Sequence, residues 1–157
     1  MTKEIIWTPP EEIIKKSKLT SFIKYCNLKN YDSLETKALK NPGWLWDSVI
    51  RFSELKFYKN YEKIIDESKG TPWTKWCVGG KTNIVLNCID RHKDKEFFSD
   101  TFIFSEKENG DTSSITYKEF DEKISQVGNA LKDNEFIKGD VIALYMPQTI
   151  ETYIAYF

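Results

Sequence analysis

The stretch that decides the fold runs from Trp73 to His92 and reads WTKWCVGGKTNIVLNCIDRH. Two tryptophans precede a Gly-Gly turn, and the turn leads into an apolar run that begins at Ile84. Thr82 and Asn83 stand just before that run, where a short polar side chain can accept the free N–H groups of a first helical turn. Apolar residues then recur four positions apart, which gives a helix one inward face. The stretch therefore predicts a turn followed by a short helix.

The same stretch resembles the opening segment of the acetyl-CoA synthetase family. That segment has a Lys-Trp pair, a glycine turn, a Leu-Asn step and an Asn-Cys-x-Asp-Arg-His run. The corresponding residues here are Lys75, Trp76, Gly80, Asn83, Asn87, Cys88, Asp90, Arg91 and His92. The pattern departs from the family at Cys77, which stands where the family usually has Phe.

The resemblance keeps its order along the rest of the chain. Matching segments are Trp7–Pro9, Asn41–Trp46, Tyr61–Asp66, Ile115–Phe120 and Lys138–Pro147. An ordered series of matches is more specific than any one motif. The resemblance therefore covers nearly all of the chain.

Members of this family form an acyl-adenylate from an acid and ATP and then pass the acyl group to coenzyme A. The resemblance thus implies ATP, Mg²⁺ and coenzyme A for the full-length enzyme, with a short-chain carboxylic acid as substrate. The family's phosphate loop with Pro-Lys-Gly, its aromatic-Thr-Glu motif, its ribose-binding Asp and its C-terminal lysine all lie downstream of the position of Phe157. We therefore expect an N-terminal fragment that is inactive alone and needs the downstream part as its partner. No catalytic, cofactor-binding or metal-binding residue is assigned within it.

The predicted fold class is α/β, in two regions. Residues 1–98 are predicted to form the helical, aromatic-rich N-terminal region of an acetyl-CoA synthetase, and residues 99–157 the truncated beginning of the AMP-binding α/β domain. In the first region, Pro9-Pro10 predicts a helix that runs to about Tyr25. Asn41-Pro42 predicts a second helix with an aromatic face that docks on the larger domain.

The second region is predicted to contain a hairpin and a β-α-β unit of an incomplete adenylate-forming large domain. Asn109-Gly110 favours a turn between strands 101–106 and 113–116. Thr116 and Glu119 form a capping box that begins a helix over 117–134, with Asn134 as its left-handed end. The unbroken apolar run 141–146 predicts a buried parallel strand, and an amphipathic helix begins at Ile150.

Four features of the sequence can be interpreted either as functional sites or as structural elements, and the structural interpretation is preferred for each. Cys88 and His92 stand at i and i+4 but are too few for a zinc site. His92 is the only histidine in the chain and is interpreted as a structural or capping residue rather than a catalytic base. Gly110 lacks a Gly-Lys-Ser/Thr run, so it indicates a turn and not a phosphate loop. The tryptophans are interpreted as packing residues, with contact to adenine as the alternative.

Composition argues against several partners. The chain has 157 residues with 23 basic and 24 acidic side chains and a net charge of −1. It therefore has no field of one sign for nucleic acid or an anionic membrane, and it lacks an apolar stretch of about 20 residues. Met1 to Ile6 shows no secretory h-region. Cys26, Cys77 and Cys88 form an odd set that favours reduced thiols in the cytoplasm.

Two other function classes remain alongside the ligase fragment. The chain could be a non-catalytic interaction module or split subunit that docks on a separately encoded remainder, or it could bind a nucleotide alone. One β-α-β unit does not build the crevice of an open α/β sheet, which disfavours the last class. The sequence leaves open which acid is used, the oligomeric state, regulation, and whether the chain is a short gene product, a split subunit or a truncated enzyme.

Overall fold

The computed structural model describes residues 6–157, which fall into two compact units. The N-terminal unit extends to Lys81 and the C-terminal unit is Thr82–Phe157. The predicted lack of a secretory segment at the first residues falls almost wholly outside the described residues. The predicted domain boundary between residues 98 and 99 stays a prediction.

The N-terminal unit is mainly helical, as predicted, and ends in a small hairpin. Its elements are α1 (Glu11–Lys16), α2 (Lys18–Tyr25), α3 (Tyr31–Lys40), α4 (Pro42–Phe52), β1 (Lys63–Asp66), a 3-10 turn (Thr71–Trp73) and β2 (Lys75–Val78). The two strands pair antiparallel, and Ile65 lies opposite Trp76. These two strands were not predicted from the sequence.

The prediction of a single helix from Pro10 to Tyr25 is wrong, because the helix is interrupted at Ser17. Ser17 has an extended backbone, and its side chain accepts a hydrogen bond from the Thr20 N–H. The Thr20 hydroxyl also donates to the carbonyl of Ile14 at the end of α1. A serine that caps a new helix competes with continuation of the old one, which explains the break.

Helix α4 begins where the sequence predicted. The Asn41 side chain accepts from the Trp44 N–H, and Pro42 occupies the first helical turn. At the other end of α4, the Phe52 ring packs edge-on to Phe22 of α2 at 5.2 Å between centroids. The aromatic contact holds α4 against α2. Docking of this helix on a larger domain stays a prediction.

A polar contact joins α4 to the chain just before β1. The Tyr61 hydroxyl donates to Asp47 Oδ1 at 2.6 Å, and Arg51 Nε donates to Asp47 Oδ2 at 2.8 Å. Gly43 lies beside the same hairpin, since a Cβ there would stand 3.0 Å from the Ile65 side chain. The close approach of helix and strand therefore depends on a glycine and one shared carboxylate.

The C-terminal unit contains helices around one short hairpin. Its elements are α5 (Ile84–Cys88), 3-10 turns at Asp90–His92 and Glu96–Ser99, β3 (Thr101–Glu106), β4 (Thr112–Thr116), α6 (Tyr117–Asp133) and α7 (Ile150–Tyr156). Strands β3 and β4 pair antiparallel, which confirms the predicted hairpin. Helix α7 confirms the predicted amphipathic helix.

The core of this unit forms around Phe120, which is fully buried together with Ile89. Ile115 of β4 and Ile124 of α6 complete the buried cluster, and α7 adds partly buried apolar side chains to it. The predicted capping box is confirmed, because the Glu119 N–H donates to the Thr116 hydroxyl and the Thr116 N–H donates to the Glu119 carboxylate. The cap aims the apolar stripe of α6 at the hairpin.

The predicted strand 141–146 is wrong, and with it the β-α-β unit. Residues 141–149 have no helix or strand, and Val141 and Tyr145 are 93% and 104% exposed. In the described residues β3 and β4 pair only with each other. A strand exists only through hydrogen bonds to a neighbouring strand, and this segment has none. The α/β class itself is confirmed.

The left-handed residue after α6 is Glu135, not Asn134 as predicted. Glu135 has φ of +63°, whereas Asn134 has φ of −96°. The Asn134 side chain instead donates to the Ala130 carbonyl at 2.8 Å. Asn134 thus satisfies a terminal carbonyl from an ordinary backbone conformation, and the next residue makes the turn. Among the described helices, none is long and apolar enough to cross a bilayer.

We expect Tyr61→Phe to destabilise the N-terminal unit, because it removes the hydroxyl that donates to Asp47 Oδ1. The loss should be about 1.5 kcal/mol in the free energy of unfolding, the lower end of the range for a hydrogen bond to a charged group. Urea unfolding followed by tryptophan fluorescence measures it. Tyr31→Phe, at a tyrosine of α3 that is 52% exposed, is the matched control. Equal loss in both variants would contradict the role of Asp47.

We expect amide exchange rates to differ strongly between two parts of the C-terminal unit. Residues 141–146 should exchange at nearly the rate of an unfolded chain, because no element pairs with them, while the centre of α6 should be strongly protected. Hydrogen–deuterium exchange mass spectrometry of the whole chain provides the measurement. If sedimentation shows a monomer and residues 141–146 are nevertheless strongly protected, the segment is covered in solution and the prediction is wrong.

Candidate functional site

The tryptophans of the opening segment lie at the surface of the N-terminal unit. Trp73 ends the 3-10 turn and is 70% exposed, and Trp76 of β2 is half exposed. The Trp76 ring packs edge-on to Trp46 of α4, with 6.0 Å between centroids and an interplanar angle of 76°. Trp44 holds the Lys37 ammonium 3.8 Å from its ring centroid. These contacts support the packing interpretation for Trp44, Trp46 and Trp76.

The glycine turn after β2 is a tight backbone structure. Gly79 has φ of +80°, and a Cβ on Gly80 would stand 2.9 Å from the Cys77 carbonyl oxygen. Cys77 itself has φ of +47°, in the left-handed region that disfavours side chains. The Gly80 N–H donates to that same carbonyl at 2.9 Å. The turn therefore requires its glycines for backbone reasons and presents no open cradle of N–H groups for a phosphate.

A depression of about 620 Å³ opens beside the Asp47 network. It is lined by Ile50, Arg51, Glu54, Leu55, Lys56, Phe57, Asn60 and Tyr61. Burial and the hydrogen bond to Asp47 raise the pKa of Tyr61 to about 12. The phenol therefore stays protonated at neutral pH and cannot act there as a base. The depression carries charges of both signs and no activated nucleophile.

The three thiols are free and partly buried. Burial raises the pKa of Cys26 and of Cys77, and for Cys77 the nearby Asp47 carboxylate raises it further. A thiol with a raised pKa is a poor nucleophile at neutral pH. Cys88 packs against the core of the C-terminal unit. These environments are those of packing residues.

The Asn-Cys-x-Asp-Arg-His run, which starts at Asn87, follows the predicted helix cap at Asn83. The Asn83 side chain accepts from the Leu86 N–H at 2.7 Å, and the Asn87 amide donates to the Thr82 hydroxyl at 2.9 Å. Helix α5 then ends at Cys88, and Asp90 to His92 form a separate 3-10 turn. The two asparagines thus fix the start of a short helix.

His92 lies in an aromatic setting. Its Nε2 accepts a hydrogen bond from Arg91 Nε at 3.2 Å, and its ring centroid is 5.3 Å from that of Phe97 and 6.4 Å from that of Tyr117. Burial, and then the positive charges of Arg91 and Lys95, lower the pKa of His92. The imidazole packs against two aromatic rings and accepts a hydrogen bond from Arg91, as expected for a structural residue.

Among the described residues, none joins Cys88 and His92 as a further zinc ligand. In the part of the chain that the structure describes, no group of three or more His, Cys, Asp or Glu side chains could hold a metal ion. Asp90, the acidic neighbour of His92, is instead paired with Lys93 at 2.9 Å. This environment does not fit Mg²⁺ either, which needs clustered oxygen ligands.

Gly110 lies in the β3–β4 hairpin, as predicted. It has φ of +85°, and its N–H donates to the Lys107 carbonyl at 2.9 Å. The Asn109 side chain accepts from the Asp111 N–H, which completes the turn. The backbone N–H of the glycine is thus used within the hairpin, which favours the turn interpretation over a phosphate loop.

Sequence reasoning missed two polar clusters. Tyr61 and Asp47 are 14 positions apart, so no local pattern could have paired them. Lys93 bridges Asp90 at 2.9 Å and Asp121 of α6 at 3.0 Å. The i, i+3 spacing of Asp90 and Lys93 in the sequence indicates the first of these two ion pairs but not the second.

Two family models match consecutive parts of the chain. The model for the acetyl-coenzyme A synthetase N-terminus matches residues 31–88, and the model for AMP-binding enzymes matches residues 87–157. Together they span residues 31–157, from the start of α3 onward. The order of the two matches is the order that the motifs predicted.

Curated relatives cover the chain but extend far beyond it. The acetyl-coenzyme A synthetase of Methylobacillus flagellatus is 34% identical over 82% of this chain and 19% of its own length. That of Helicobacter acinonychis is 36% identical over 84% of this chain and 20% of its own length. That of Cupriavidus metallidurans is 29% identical over 99% of this chain and 22% of its own length.

This chain therefore spans about a fifth of the length of these relatives, at their N-terminal part. The family models and the relatives agree with the motif order, the confirmed caps and the confirmed hairpin. The chain belongs to the acetyl-coenzyme A synthetase family and corresponds to the N-terminal region of its members.

Proposed function

We propose that this chain supplies the N-terminal region of an AMP-forming acid–CoA ligase. The ligase would convert a short-chain carboxylic acid, ATP and coenzyme A to acyl-CoA, AMP and pyrophosphate. One observation carries the proposal: an acetyl-coenzyme A synthetase N-terminal match is followed directly by an AMP-binding match along residues 31–157. Acetate is the favoured acid because the relatives are acetyl-coenzyme A synthetases.

The role proposed for these residues within the ligase is that of a scaffold. The polar networks at Tyr61 and Lys93 join elements of one unit to each other. No residue of this chain is assigned to ATP or Mg²⁺: the described residues contain no group of three or more metal-binding side chains, and the N–H groups of Gly80 and Gly110 donate within their own turns. No step of the reaction is therefore assigned to this chain.

The partner proposed is the remainder of the ligase. The segment 141–146 supports this choice, because it is an apolar run whose side chains face solvent in the chain alone. Such a run gains free energy when a sheet covers it, at roughly 25 cal/mol for each Å² buried. The predicted division into residues 1–98 and 99–157 belongs to this proposal, as does a cytoplasmic location, which the free thiols support.

The same exposed segment favours an alternative role as a split subunit or interaction module. In that case the remainder would be a separate polypeptide and this chain would have a binding function only. The coding sequence after Phe157 distinguishes the two: a continuous frame with the phosphate loop and Pro-Lys-Gly signature supports one ligase, and a separate gene for that signature supports a split enzyme.

We expect the isolated chain to show no acetate-dependent exchange between pyrophosphate and ATP. That exchange requires donors that hold the phosphates and stabilise the developing charge, and no such set has been identified in the described residues. Radiolabelled pyrophosphate exchange provides the measurement, with the Methylobacillus flagellatus relative as the positive control. Exchange above the no-acetate blank would overturn the scaffold role.

We expect a chimera to recover activity when this chain replaces the matching N-terminal region of the Methylobacillus flagellatus relative. Acetate-dependent formation of acetyl-CoA provides the measurement. Phe120→Asp in the chimera should abolish activity and solubility together, because it places a carboxylate in the fully buried core. Lys118→Asp, two residues earlier on the exposed side of α6, should be tolerated. A soluble, folded and inactive chimera would count against the proposed function.

A further inference from the structure

The segment Asp90–Ser99, which we call the His92 segment, is held on the start of α6 by two contacts of different character. One is the aromatic group in which the His92 ring lies near Phe97 and Tyr117. The other is the Lys93 ammonium, which reaches Asp90 at 2.9 Å and Asp121 of α6 at 3.0 Å. Protonation near neutral pH can change only the first, because carboxylates and ammonium groups keep their charges there.

The part of the first contact made by His92 requires a neutral imidazole, whereas the contacts of Phe97 and Phe98 with Tyr117, at 5.6 and 6.1 Å between centroids, do not. His92 Nε2 accepts a hydrogen bond from Arg91 Nε at 3.2 Å, and a ring nitrogen that carries a proton cannot accept one. A protonated ring would also stand beside the guanidinium of Arg91 with its hydrogen bond lost. Because Phe97 and Tyr117 cover part of the ring, water cannot fully hydrate the new charge.

The charged groups described around the ring either disfavour its protonation or are paired with another group. From its own segment, Arg91 and Lys95 add positive charge and lower the pKa of His92 after the larger effect of burial. From α6, Tyr117 contributes a neutral ring, and the Asp121 carboxylate is paired with Lys93. Asp90 is paired with the same ammonium. The nearby carboxylates are therefore engaged elsewhere and do not favour an imidazolium.

We propose that the His92 segment responds to pH, because its closure on the start of α6 is favoured while His92 is neutral and is weakened when His92 is protonated. The Lys93 bridge persists in both states, so the opening is local and the unit does not unfold. This inference concerns the conformation of the chain itself and goes beyond the proposed ligase reaction.

The direction of the pH effect follows from the lowered pKa. The unfolded or open segment takes up a proton near the ordinary value of 6.5, whereas the closed segment takes it up only at lower pH. Closure is thus fully favoured above 6.5 and is lost as the pH falls from that value through the pKa of the closed state. Below that second value no further loss arises from His92.

The test uses the whole chain, in which His92 is the only imidazole. The His92 Cε1–H resonance is titrated by NMR between pH 7.5 and 5, and amide exchange of residues 90–99 is measured over the same range. Exchange rates are divided by the intrinsic rate at each pH. We expect protection to fall about tenfold for each pH unit by which the NMR midpoint lies below 6.5. A midpoint at or above 6.5 overturns the proposal.

Two variants at the same position separate protonation from general acid sensitivity. His92→Gln keeps a hydrogen-bond acceptor without a titrating group, so protection of residues 90–99 should stay constant between pH 7.5 and 5. His92→Lys carries the charge permanently, so the segment should be open even at pH 7.5. Protection of the centre of α6 should not change in either variant, which shows that the unit is folded. Loss of protection with acid in His92→Gln overturns the proposal.

Discussion

Burial of Phe120 is the interaction on which the C-terminal unit depends. Its ring is fully enclosed by Ile89 before the hairpin, Ile115 on β4 and Ile124 one turn further along α6. Phe102 and Phe157 meet the same ring edge-on at 4.9 and 5.3 Å. One side chain thus joins the hairpin, the central helix and the last helix. Removing a buried phenylalanine of this kind costs about 3–5 kcal/mol, a large part of the stability of a small unit.

The features that the sequence predicted correctly are the ones fixed by near neighbours. The cap at Asn41, the capping box at Thr116 and Glu119, and the turn at Gly110 each involve residues within four positions. Such contacts have the same geometry in any protein, so a pattern is enough to find them. The start of α6 and the hairpin before it follow from them directly.

The features that the sequence missed are decided at longer range or by competition. Ser17 offered a new helix cap inside an apolar pattern that favoured continuation, and the cap prevailed. Residues 141–146 have the composition of a buried strand, but a strand also needs a paired backbone, and the described residues provide none. The link between Tyr61 and Asp47 crosses 14 positions. For the functional residues the family motifs were informative about ancestry, while the described contacts of Asn83, Asn87 and Trp76 are with residues of their own unit.

The left-handed conformation of Cys77 has a consequence for how this position tolerates change. Its φ of +47° costs any residue with a side chain about 1 kcal/mol, whether that side chain is small or aromatic. A glycine here would relax the backbone, and it would also loosen the register that brings Trp76 opposite Ile65.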